Sequence, residues 1–334
     1  MPRFRILIRD AKFDGPPDIE AALAGADAEL DVHRLGEPEI TPERYALADA
    51  LIPQHQAIVP AEIIAMMTRL RIIVRGGVGF ERIDLRAAAA RGVAVCNVPD
   101  YGTEEVADHA IGLLYALVRG IVLQADRTRA DLMDWGPATP VPGRRLSTLA
   151  LGIVGLGRIG GMVSRRVSGL GMAVGYHDPA VEAPHLTRHD TLHALLGASD
   201  VVTLHTPLND GTRGMMDAAA FAAMRPGAIL VNTSRGGVVE LDALHDALRS
   251  GRLAGAALDV LPGEPPDPSH PLMRAWTGGE AWLRGRFVLT PHMAYYSPHA
   301  LRDTRRLGME TALLFLRDGT LRNCVNADLL AAAR

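Results

Sequence analysis

Three stretches of the sequence place an arginine, acidic residues and a histidine directly after apolar runs. The stretches are NTSRGG at 232–237, ALDVLPGEPP at 257–266 and TPHMAYYS at 290–297. The apolar runs predict buried strands, and open α/β sheets bind their ligands beyond the carboxyl ends of the strands. An arginine binds a carboxylate, and a positioned histidine transfers a proton. Arg235, Glu264 and His292 are therefore candidates for a single site.

A glycine-rich turn indicates a second chemistry. Residues 155–160 read GLGRIG, the spacing G-x-G-x-x-G, between the apolar run LALGIV and a helical pattern. In a dinucleotide-binding turn, Gly155 permits the tight turn, Gly157 admits the pyrophosphate and Gly160 lets the helix pack on the strand. Asp178 ends the next predicted strand, 23 residues after Gly155, close to the usual interval of about 20. It would bind the adenosine ribose hydroxyls and repel a 2′-phosphate.

The bulk composition predicts a folded chain of two domains. The 334 residues are 48% hydrophobic and 22% charged, and a domain usually has about 100–200 residues. The net charge of −3, without a basic block, makes nucleic acid a poor candidate partner. Two cysteines exclude a disulfide scaffold and a cysteine-rich zinc site, and we expect no metal. The only lysine, Lys12, has the context of neither a Schiff-base nor a P-loop lysine.

The N-terminal sequence and the length of the apolar runs predict a cytoplasmic protein. The N-terminal sequence MPRFRILIRDAKFD carries charges too early for a secretory signal. The longest apolar runs, such as AIGLLYALV at 110–118, are too short to span a bilayer. We therefore expect no membrane association.

The predicted elements form two groups. FRILI, DVHRL, RIIVR and AVCNVP read as strands of a small parallel α/β unit, followed by one long helix over about 103–125. A Pro/Gly-rich arm at 134–147 precedes the glycine turn. From residue 149 to residue 292 strands and helices alternate regularly, and a long helix over 297–319 follows. This pattern predicts a parallel α/β fold.

Taken together, the motifs resemble the D-isomer-specific 2-hydroxyacid dehydrogenase family over nearly the whole chain. They are GLGRIG with its following HDP, LHTPLNDGT, NTSRGG, GAALDV with GEP downstream, and TPH. The stretches VCNVPDYGTEEVAD, MAYYS and RNCVN are most similar to the branch of the C-terminal binding proteins, which are dehydrogenase-fold corepressors, and their bacterial relatives.

The resemblance implies a Rossmann-type NAD-binding domain inserted into a smaller flavodoxin-like α/β substrate domain. Residues 1–100 and 295–334 would form the substrate-binding domain, and residues 101–294 the NAD-binding domain. Two long helices, at about 103–125 and 297–318, would cross between the domains. The family also implies a homodimer formed through the cofactor domain and the arm before the glycine turn.

The resemblance further implies a role for each site residue. Arg235 would bind the substrate carboxylate and polarise the keto oxygen, His292 would be the acid–base group, and Glu264 would pair with His292. Substrate-binding residues would be Arg75, Gly77, Val78, Gly79 and Tyr295. Residues binding the cofactor NAD would be Val106, Gly155, Leu156, Gly157, Arg158, Ile159, Gly160, Asp178, Thr206, Pro207, Thr212, Thr233, Ser234 and Asp259.

Two functions from different classes fit these residues. The first is an NAD-dependent D-2-hydroxyacid dehydrogenase that reduces a 2-oxo acid. The second is an NAD-sensing, corepressor-like dimer that binds proteins. The catalytic set favours the enzyme, and the apolar sequence MAYY at 293–296 suggests a substrate with an apolar or aromatic side chain. The sequence departs from the family pattern at Glu81-Arg82, in the long stretch 273–286 and at Tyr295. These departures concern the identity of the substrate more than the type of reaction.

Several of these residues also have ordinary structural interpretations. Glu264 could be a turn residue before a proline, Asp178 could merely begin the HDP turn, and Arg75 could be a surface ion-pair partner. Tyr295 is as compatible with packing as with a substrate wall. Among the other histidines, His109 and His205 are expected to be structural.

Overall fold

The computed structural model describes residues 3–54, 57–136 and 143–333, and it has an α/β fold with two parallel sheets. The predicted fold class is therefore confirmed. Contacts divide the chain into two compact units. The split unit comprises the described residues of Met1–Gly102 and Tyr296–Arg334, and the central unit those of Thr103–Tyr295.

The first segment of the split unit alternates short strands and helices. In chain order they are β1 (Phe4–Ala11), α1 (Asp18–Ala24), β2 (Ala28–Arg34), α2 (Pro42–Ala46), β3 (Ala50–Pro53), α3 (Ala61–Met66), β4 (Ile72–Arg75), α4 (Leu85–Ala90) and β5 (Ala94–Asn97). The strands are parallel, in the order β2-β1-β3-β4-β5. This is the flavodoxin-like strand order that the family resemblance implies.

The central unit contains the longer βα series. Its elements are α5 (Thr103–Val118), α6 (Ile121–Ala130), β6 (Ala150–Val154), α7 (Arg158–Ser168), β7 (Ala173–His177), β8 (Thr187–Arg188), α8 (Leu192–Ala198), β9 (Val201–Leu204), α9 (Ala218–Ala223), β10 (Ala228–Asn232), α10 (Leu241–Arg249), β11 (Leu253–Leu258), α11 (Pro271–Thr277) and β12 (Phe287–Leu289). The parallel strands lie in the order β12-β11-β10-β9-β6-β7-β8. The order reverses between β6 and β9, which is where such sheets bind ligands.

The chain then returns to the split unit through α12 (Pro298–Asp318) and α13 (Ala327–Ala332). The hydroxyl of Ser297 accepts the N–H of Ala300, Pro298 is the first helical residue, and Gly319 ends α12 at a φ of 74°. These are standard start and stop features of a helix. The helix predicted over 297–319 is therefore confirmed.

Alternating side chains of β1 build the two faces of the split-unit core. Ile6 and Ile8 pack in one cluster with Met309 of α12. Leu7, between them in the sequence, packs in a second cluster with Ile64 of α3. Because both faces of a parallel sheet are covered by helices, an inner strand can be apolar on both faces instead of alternating. That is why Ile6, Leu7 and Ile8 form an unbroken apolar run.

The prediction of a single helix over about 103–125 is wrong. The structure has two helices, α5 and α6, which meet at an angle of 60°. Gly120, between them, has a φ of 64°, a left-handed conformation that glycine adopts without a steric penalty. No single helix in the described ranges is long and apolar enough to cross a bilayer, although the bent pair α5 and α6 meets that requirement when taken together.

The long stretch 273–286 packs at the end of the central sheet away from the candidate site. Within it, the Arg286 guanidinium donates hydrogen bonds to the carbonyls of Leu253 and Ala254, at 2.6 and 3.0 Å. Burial lowers the pKa of Arg286. Leu253 begins β11 and Asp259 follows its end. Strand length therefore separates this stretch from the residues that the sequence assigns to the site.

Candidate active site

The predicted site residues of the central unit lie mainly at one edge of its sheet. The carboxyl ends of β6, β7, β9, β10, β11 and β12 lead directly into Gly155, Asp178, His205, Thr233, Asp259 and Thr290. The strands are parallel and hydrogen-bonded in register, so all these ends point the same way. The sheet therefore gathers residues that are far apart in the sequence.

The glycine turn has the geometry that its spacing predicts. Gly155 has a φ of 88°, and a Cβ atom there would lie 2.7 Å from the carbonyl oxygen of His205. A Cβ atom on Gly160 would lie 2.1 Å from the carbonyl oxygen of Gly155, so only glycine lets α7 approach the turn this closely. At Gly157 a Cβ atom would meet nothing within 4 Å among the described residues. Gly157 is exposed, which leaves room for a ligand beside the start of α7.

Asp178 connects the glycine turn to β7. Its Oδ2 accepts the N–H of Leu156 at 2.7 Å, and its Oδ1 accepts the N–H groups of Ala180 and Val181 at 2.8 and 3.0 Å. The carboxylate thus begins the HDP turn and also braces the glycine turn. The guanidinium of Arg188 donates to the carbonyl of Asp178 at 3.4 Å. Arg188 lies ten residues after Asp178, so the local pattern around HDP does not indicate this neighbour.

Buried polar atoms without partners lie beside the glycine turn. Among the described residues, no hydrogen-bond partner exists for Nδ1 of His205 or for the hydroxyls of Thr206 and Thr233. Buried polar groups are nearly always hydrogen-bonded in proteins. His205 and Thr206 follow β9, Thr233 follows the adjacent β10, and Gly155 lies against the first two. These residues fit a bound polar group such as a dinucleotide.

His205 should make the folded protein less stable at acidic pH. Burial lowers the pKa of His205 to about 3, against about 6.5 in an unfolded chain. Below pH 6.5 the unfolded chain therefore binds a proton that the folded protein does not bind. The resulting loss of unfolding free energy between pH 8 and pH 5 is about 2 kcal/mol. We expect His205→Asn to reduce the measured pH dependence by that amount, in urea titrations at both pH values.

The control for that experiment is His193→Asn, because His193 is exposed. It should leave the pH dependence of the unfolding free energy unchanged. Equal pH dependence in the wild type and His205→Asn would contradict a buried, neutral His205.

Gly236 brings the loop of Arg235 against the loop of Glu264. A Cβ atom on Gly236 would lie 1.8 Å from the carbonyl carbon of Leu261, so the two main chains touch at this point. The carbonyl of Arg235 accepts the side-chain N–H of Asn232 at 3.0 Å, which holds the turn after β10. The glycine pair of NTSRGG was the only signal in the sequence for this packing.

The side chains of His292 and Glu264 lie at ion-pair distance. Nδ1 of His292 lies 2.6 Å from Oε2 of Glu264, and Oε1 of Glu264 accepts the N–H of Leu261 at 3.1 Å. The imidazole is 43% exposed and the carboxylate 20%. Donation from Nδ1 to the carboxylate orients the ring and leaves Nε2 as the nitrogen for proton transfer. The arrangement suits a general acid–base group.

Asp259 holds the loop that carries His292. Its carboxylate, 2% exposed, accepts the hydroxyl of Thr290 at 2.5 Å and the N–H groups of Met293 and Ala294 at 3.0 and 2.9 Å. The carbonyl of Asp259 accepts the N–H of His292 at 2.8 Å. Direct contact of Asp259 with a nicotinamide stays a prediction. The bonds present make it a positioning residue for the loop.

The predicted substrate loop belongs to the split unit and follows β4. Gly77 has a φ of 147°, and its carbonyl accepts the N–H of Val98 at 3.0 Å. The side chain of Asn97 donates to the carbonyl of Val78 at 2.7 Å. The Arg75 guanidinium donates to the carbonyl of Gly76 inside the same loop. The end of β5 therefore fixes the loop that contains Gly77, Val78 and Gly79 and that follows Arg75, the last residue of β4.

The remaining predicted cofactor and substrate residues occupy loops and helix starts in the central unit. The Thr212 hydroxyl donates to the carbonyl of Pro207 at 2.7 Å, and the Ser234 hydroxyl donates to Asn232 at 2.8 Å. Both hydroxyls shape turns, and their contacts with a cofactor stay predictions. The others are Val106 in α5, Leu156 in the glycine turn, Arg158 and Ile159 at the start of α7, and Tyr295, which is partly buried.

Comparison with known families gives one match that covers over half the chain. Residues 111–294 match the D-isomer specific 2-hydroxyacid dehydrogenase family, NAD binding domain. This range falls within the central unit and contains the glycine turn, Arg235, Glu264 and His292.

Two curated relatives are similar over most of this chain. A D-3-phosphoglycerate dehydrogenase of Archaeoglobus fulgidus is 36% identical over 285 residues, which are 83% of this chain and 51% of the relative. A glyoxylate reductase of Korarchaeum cryptofilum is 35% identical over 312 residues, 90% of this chain and 91% of the relative. The chain thus spans about half the length of the D-3-phosphoglycerate dehydrogenases that it matches.

Two solved structures share the fold over almost their full length. D-lactate dehydrogenase of Aquifex aeolicus, complexed with NAD and lactic acid, is 26% identical, with 98% of each chain covered and a TM-score of 0.81. An NADPH-dependent glyoxylate/hydroxypyruvate reductase of Sinorhizobium meliloti, in complex with NADP and malonate, is 28% identical, with 97% of each chain covered and a TM-score of 0.82.

Proposed function

We propose, because the chain belongs to the D-isomer specific 2-hydroxyacid dehydrogenase family, that it reduces a 2-oxo acid to a D-2-hydroxy acid with NADH. The family consists of oxidoreductases that act on a CH–OH group. The observation that carries the proposal is the 2.6 Å pair of His292 and Glu264. A histidine oriented by a carboxylate, at the sheet edge that also holds the glycine turn, is suited to deliver a proton to a keto oxygen.

In this proposal each residue of the central unit has a distinct part. The cofactor, when bound, supplies the hydride to the keto carbon. Arg235 binds the substrate carboxylate and polarises the keto oxygen, and His292 donates the proton from Nε2. Glu264 stabilises the imidazolium, so positive charge faces the developing alkoxide. Arg75 and its loop, as a further carboxylate-binding group, stay a prediction.

We further propose that Thr103–Tyr295 is the NAD-binding domain, and that the split unit is the substrate-binding domain. Support comes from the family match to residues 111–294 and from the glycine turn at the point of strand reversal. The cofactor would bind at the exposed Gly157, at the start of α7, and at the hydroxyls of Thr206 and Thr233, which have no partner in the described part of the chain.

A panel of 2-oxo acids with NADH, followed by loss of absorbance, tests the proposed activity. We expect turnover with at least one member of the panel. Tight NADH binding without turnover on any 2-oxo acid would instead support the corepressor-like alternative. The resemblance to the C-terminal binding protein branch stays a prediction, because the relatives reported above are named D-3-phosphoglycerate dehydrogenase and glyoxylate reductase.

NADH should be preferred over NADPH because of Asp178. Its carboxylate would meet a 2′-phosphate with like charge at the ribose position. We expect Asp178→Asn, which keeps an oxygen for the N–H of Leu156, to lower the ratio of kcat/KM for NADH over NADPH by about tenfold, or ~1.4 kcal/mol. Asp178→Ser should lower the ratio as well, with an added loss for both cofactors because the brace is shortened.

The direct check is the ratio of kcat/KM for NADH to kcat/KM for NADPH in the wild type. A wild-type kcat/KM for NADPH equal to or above that for NADH would overturn the preference. NADPH is a real alternative because the Sinorhizobium meliloti structure contains NADP.

The substrate is proposed to carry an apolar or aromatic side chain. Met293, beside His292, is 40% exposed, and Tyr295 follows two residues later. Comparison of phenylpyruvate and branched 2-oxo acids with 3-phosphohydroxypyruvate and glyoxylate tests this choice. A clear preference for the phosphorylated acid would contradict it.

A homodimer and a cytoplasmic location also stay predictions. An apolar patch supports the homodimer: Leu132, Met133 and Trp135 are 72%, 87% and 82% exposed. Leu132 and Met133 precede the Pro/Gly-rich arm and Trp135 lies at its start; residues 137–142 of the arm lie outside the described residues. Exposed apolar clusters of this kind commonly mark protein contacts, and sedimentation velocity measures the oligomeric state directly.

A further inference from the structure

We propose that His109 is a positioning residue for His292, acting through Thr290 and Asp259. Nε2 of His109 lies 3.0 Å from the hydroxyl of Thr290, and that hydroxyl lies 2.5 Å from Oδ1 of Asp259. Nε2 also lies 3.7 Å from Oδ1 of Asp259. This inference rests on the proposed function, because it assigns His292 as the proton donor.

Counting protons fixes the direction of these hydrogen bonds. A carboxylate only accepts hydrogen bonds, so the Thr290 hydroxyl donates its single proton to Asp259. The same hydroxyl must then accept at its other contact, and Nε2 of His109 must carry the donating proton. His109 therefore gives its N–H to Thr290, and Thr290 gives its O–H to Asp259. A side chain without an N–H cannot replace His109 in this chain of bonds.

Helix α5 gives His109 a fixed position. The helix packs into the core of the central unit through Ala107, Ala110, Leu113, Leu114, Leu117 and Val118. The side chain of His109 is 22% exposed. The bond to Thr290 spans 181 residues of sequence and ties this helix to the loop after β12. The loop thereby gains an anchor that its own strand does not supply.

The loop needs an anchor because His292 has an unfavourable backbone conformation. Its φ is 53°, in the left-handed region that residues other than glycine adopt at an energetic cost. Such a conformation persists where the surroundings hold it. Asp259 supplies that hold through the N–H groups of Met293 and Ala294, and its carbonyl accepts the N–H of His292. Thr290 and His109 in turn orient the Asp259 carboxylate.

Loss of the His109 N–H should therefore affect the chemical step more than binding. A displacement of about 1 Å in a reacting group can cost about 100-fold in rate. We expect a smaller effect, about tenfold in kcat, because Asp259 keeps its bonds to the main chain. KM for NADH should change less than twofold, because the glycine turn is not part of this network.

The test uses pairs of variants that differ in the N–H or O–H group. His109→Leu and Thr290→Val remove the group, whereas His109→Gln and Thr290→Ser keep it. We expect about a tenfold loss of kcat in the first pair and recovery to within threefold of the wild type in the second. The double variant His109→Leu/Thr290→Val should lose no more than the worse single variant, because both break one network. Equal losses in His109→Leu and His109→Gln would overturn the proposal.

A second readout distinguishes failure of this network from failure of the proposed function. The NMR signals of the His292 imidazole report its surroundings without any turnover. They should shift or broaden in His109→Leu and return in His109→Gln. If the wild type reduces no 2-oxo acid and the signals behave in this way, the proposed function fails while the network stands. If the signals and kcat are unchanged in His109→Leu, the network fails while the function stands.

Discussion

Substitution of His292 by alanine is expected to lower kcat for 2-oxo acid reduction by about 10²–10⁴-fold. That range is the usual contribution of a positioned general acid. The loss should occur at every pH, because alanine carries no proton in any protonation state. Binding of NADH, measured by fluorescence titration, should change less than threefold, since His292 belongs to the loop after β12 and not to the glycine turn.

Glu264→Gln provides the matched comparison. Glutamine keeps an oxygen that can accept from Nδ1 of His292 but lacks the negative charge that stabilises the imidazolium. We expect a loss of kcat smaller than that of His292→Ala and again an unchanged affinity for NADH. A His292→Ala variant with more than a third of wild-type kcat would show that another group donates the proton.

Gly236→Ala is expected to lower kcat/KM by about 100-fold, although it adds a single methyl group. The new Cβ atom would lie 1.8 Å from the carbonyl carbon and 2.0 Å from the carbonyl oxygen of Leu261, and 2.4 Å from the nitrogen of Pro262. These are main-chain atoms, which cannot rotate away as a side chain can. The loop of Arg235 must then separate from the loop of Glu264, and the carboxylate-binding and proton-donating groups lose their alignment.

Gly237→Ala is the control, because it adds the same group one residue later. There the Cβ atom would lie 3.0 Å from Cδ2 of Leu208, the end of a flexible side chain. We expect kcat/KM within about threefold of the wild type, which small adjustments of a side chain allow. Unfolding free energies from urea titration should also separate the two variants, with about 1–3 kcal/mol lost in Gly236→Ala. Similar activities in both variants would contradict the packing argument.

The parts of the site that the sequence predicted are those with a local pattern. The glycine spacing and Asp178 come from one strand–helix–strand unit, and the bond between the Leu156 N–H and Asp178 joins its two turns. Parallel strands bring their carboxyl ends to one edge, so the loops after β10, β11 and β12 were predictable as neighbours. The contact between Glu264 and His292 fits that expectation.

The contacts that the sequence did not predict depend on tertiary packing. Nothing in the local pattern around His109 indicates a partner 181 residues away. A glycine also fits an ordinary turn, so the sequence around Gly236 does not distinguish a turn from close packing against Leu261. The break at Gly120 was missed because the apolar pattern continues across it, and a single glycine inside a helical pattern is weak evidence of an end.

Two short strands were also missed. β3 has four residues and ends at Pro53, and a proline in a short apolar run argues against a strand. β8 consists only of Thr187 and Arg188, a run too short to show the periodicity that separates a strand from a loop. β3 nevertheless lies at the centre of the split-unit sheet, between β1 and β4, where both neighbours supply its hydrogen bonds.

The most direct test of the proposed reaction follows the hydride itself. The protein is incubated with NADH deuterated at C4 of the nicotinamide and with the best 2-oxo acid of the panel, and the product is analysed by chiral chromatography and mass spectrometry. The account predicts a D-2-hydroxy acid with one deuterium at C2. An L-hydroxy acid, or a product without deuterium from either C4-labelled isomer of NADH, would contradict it.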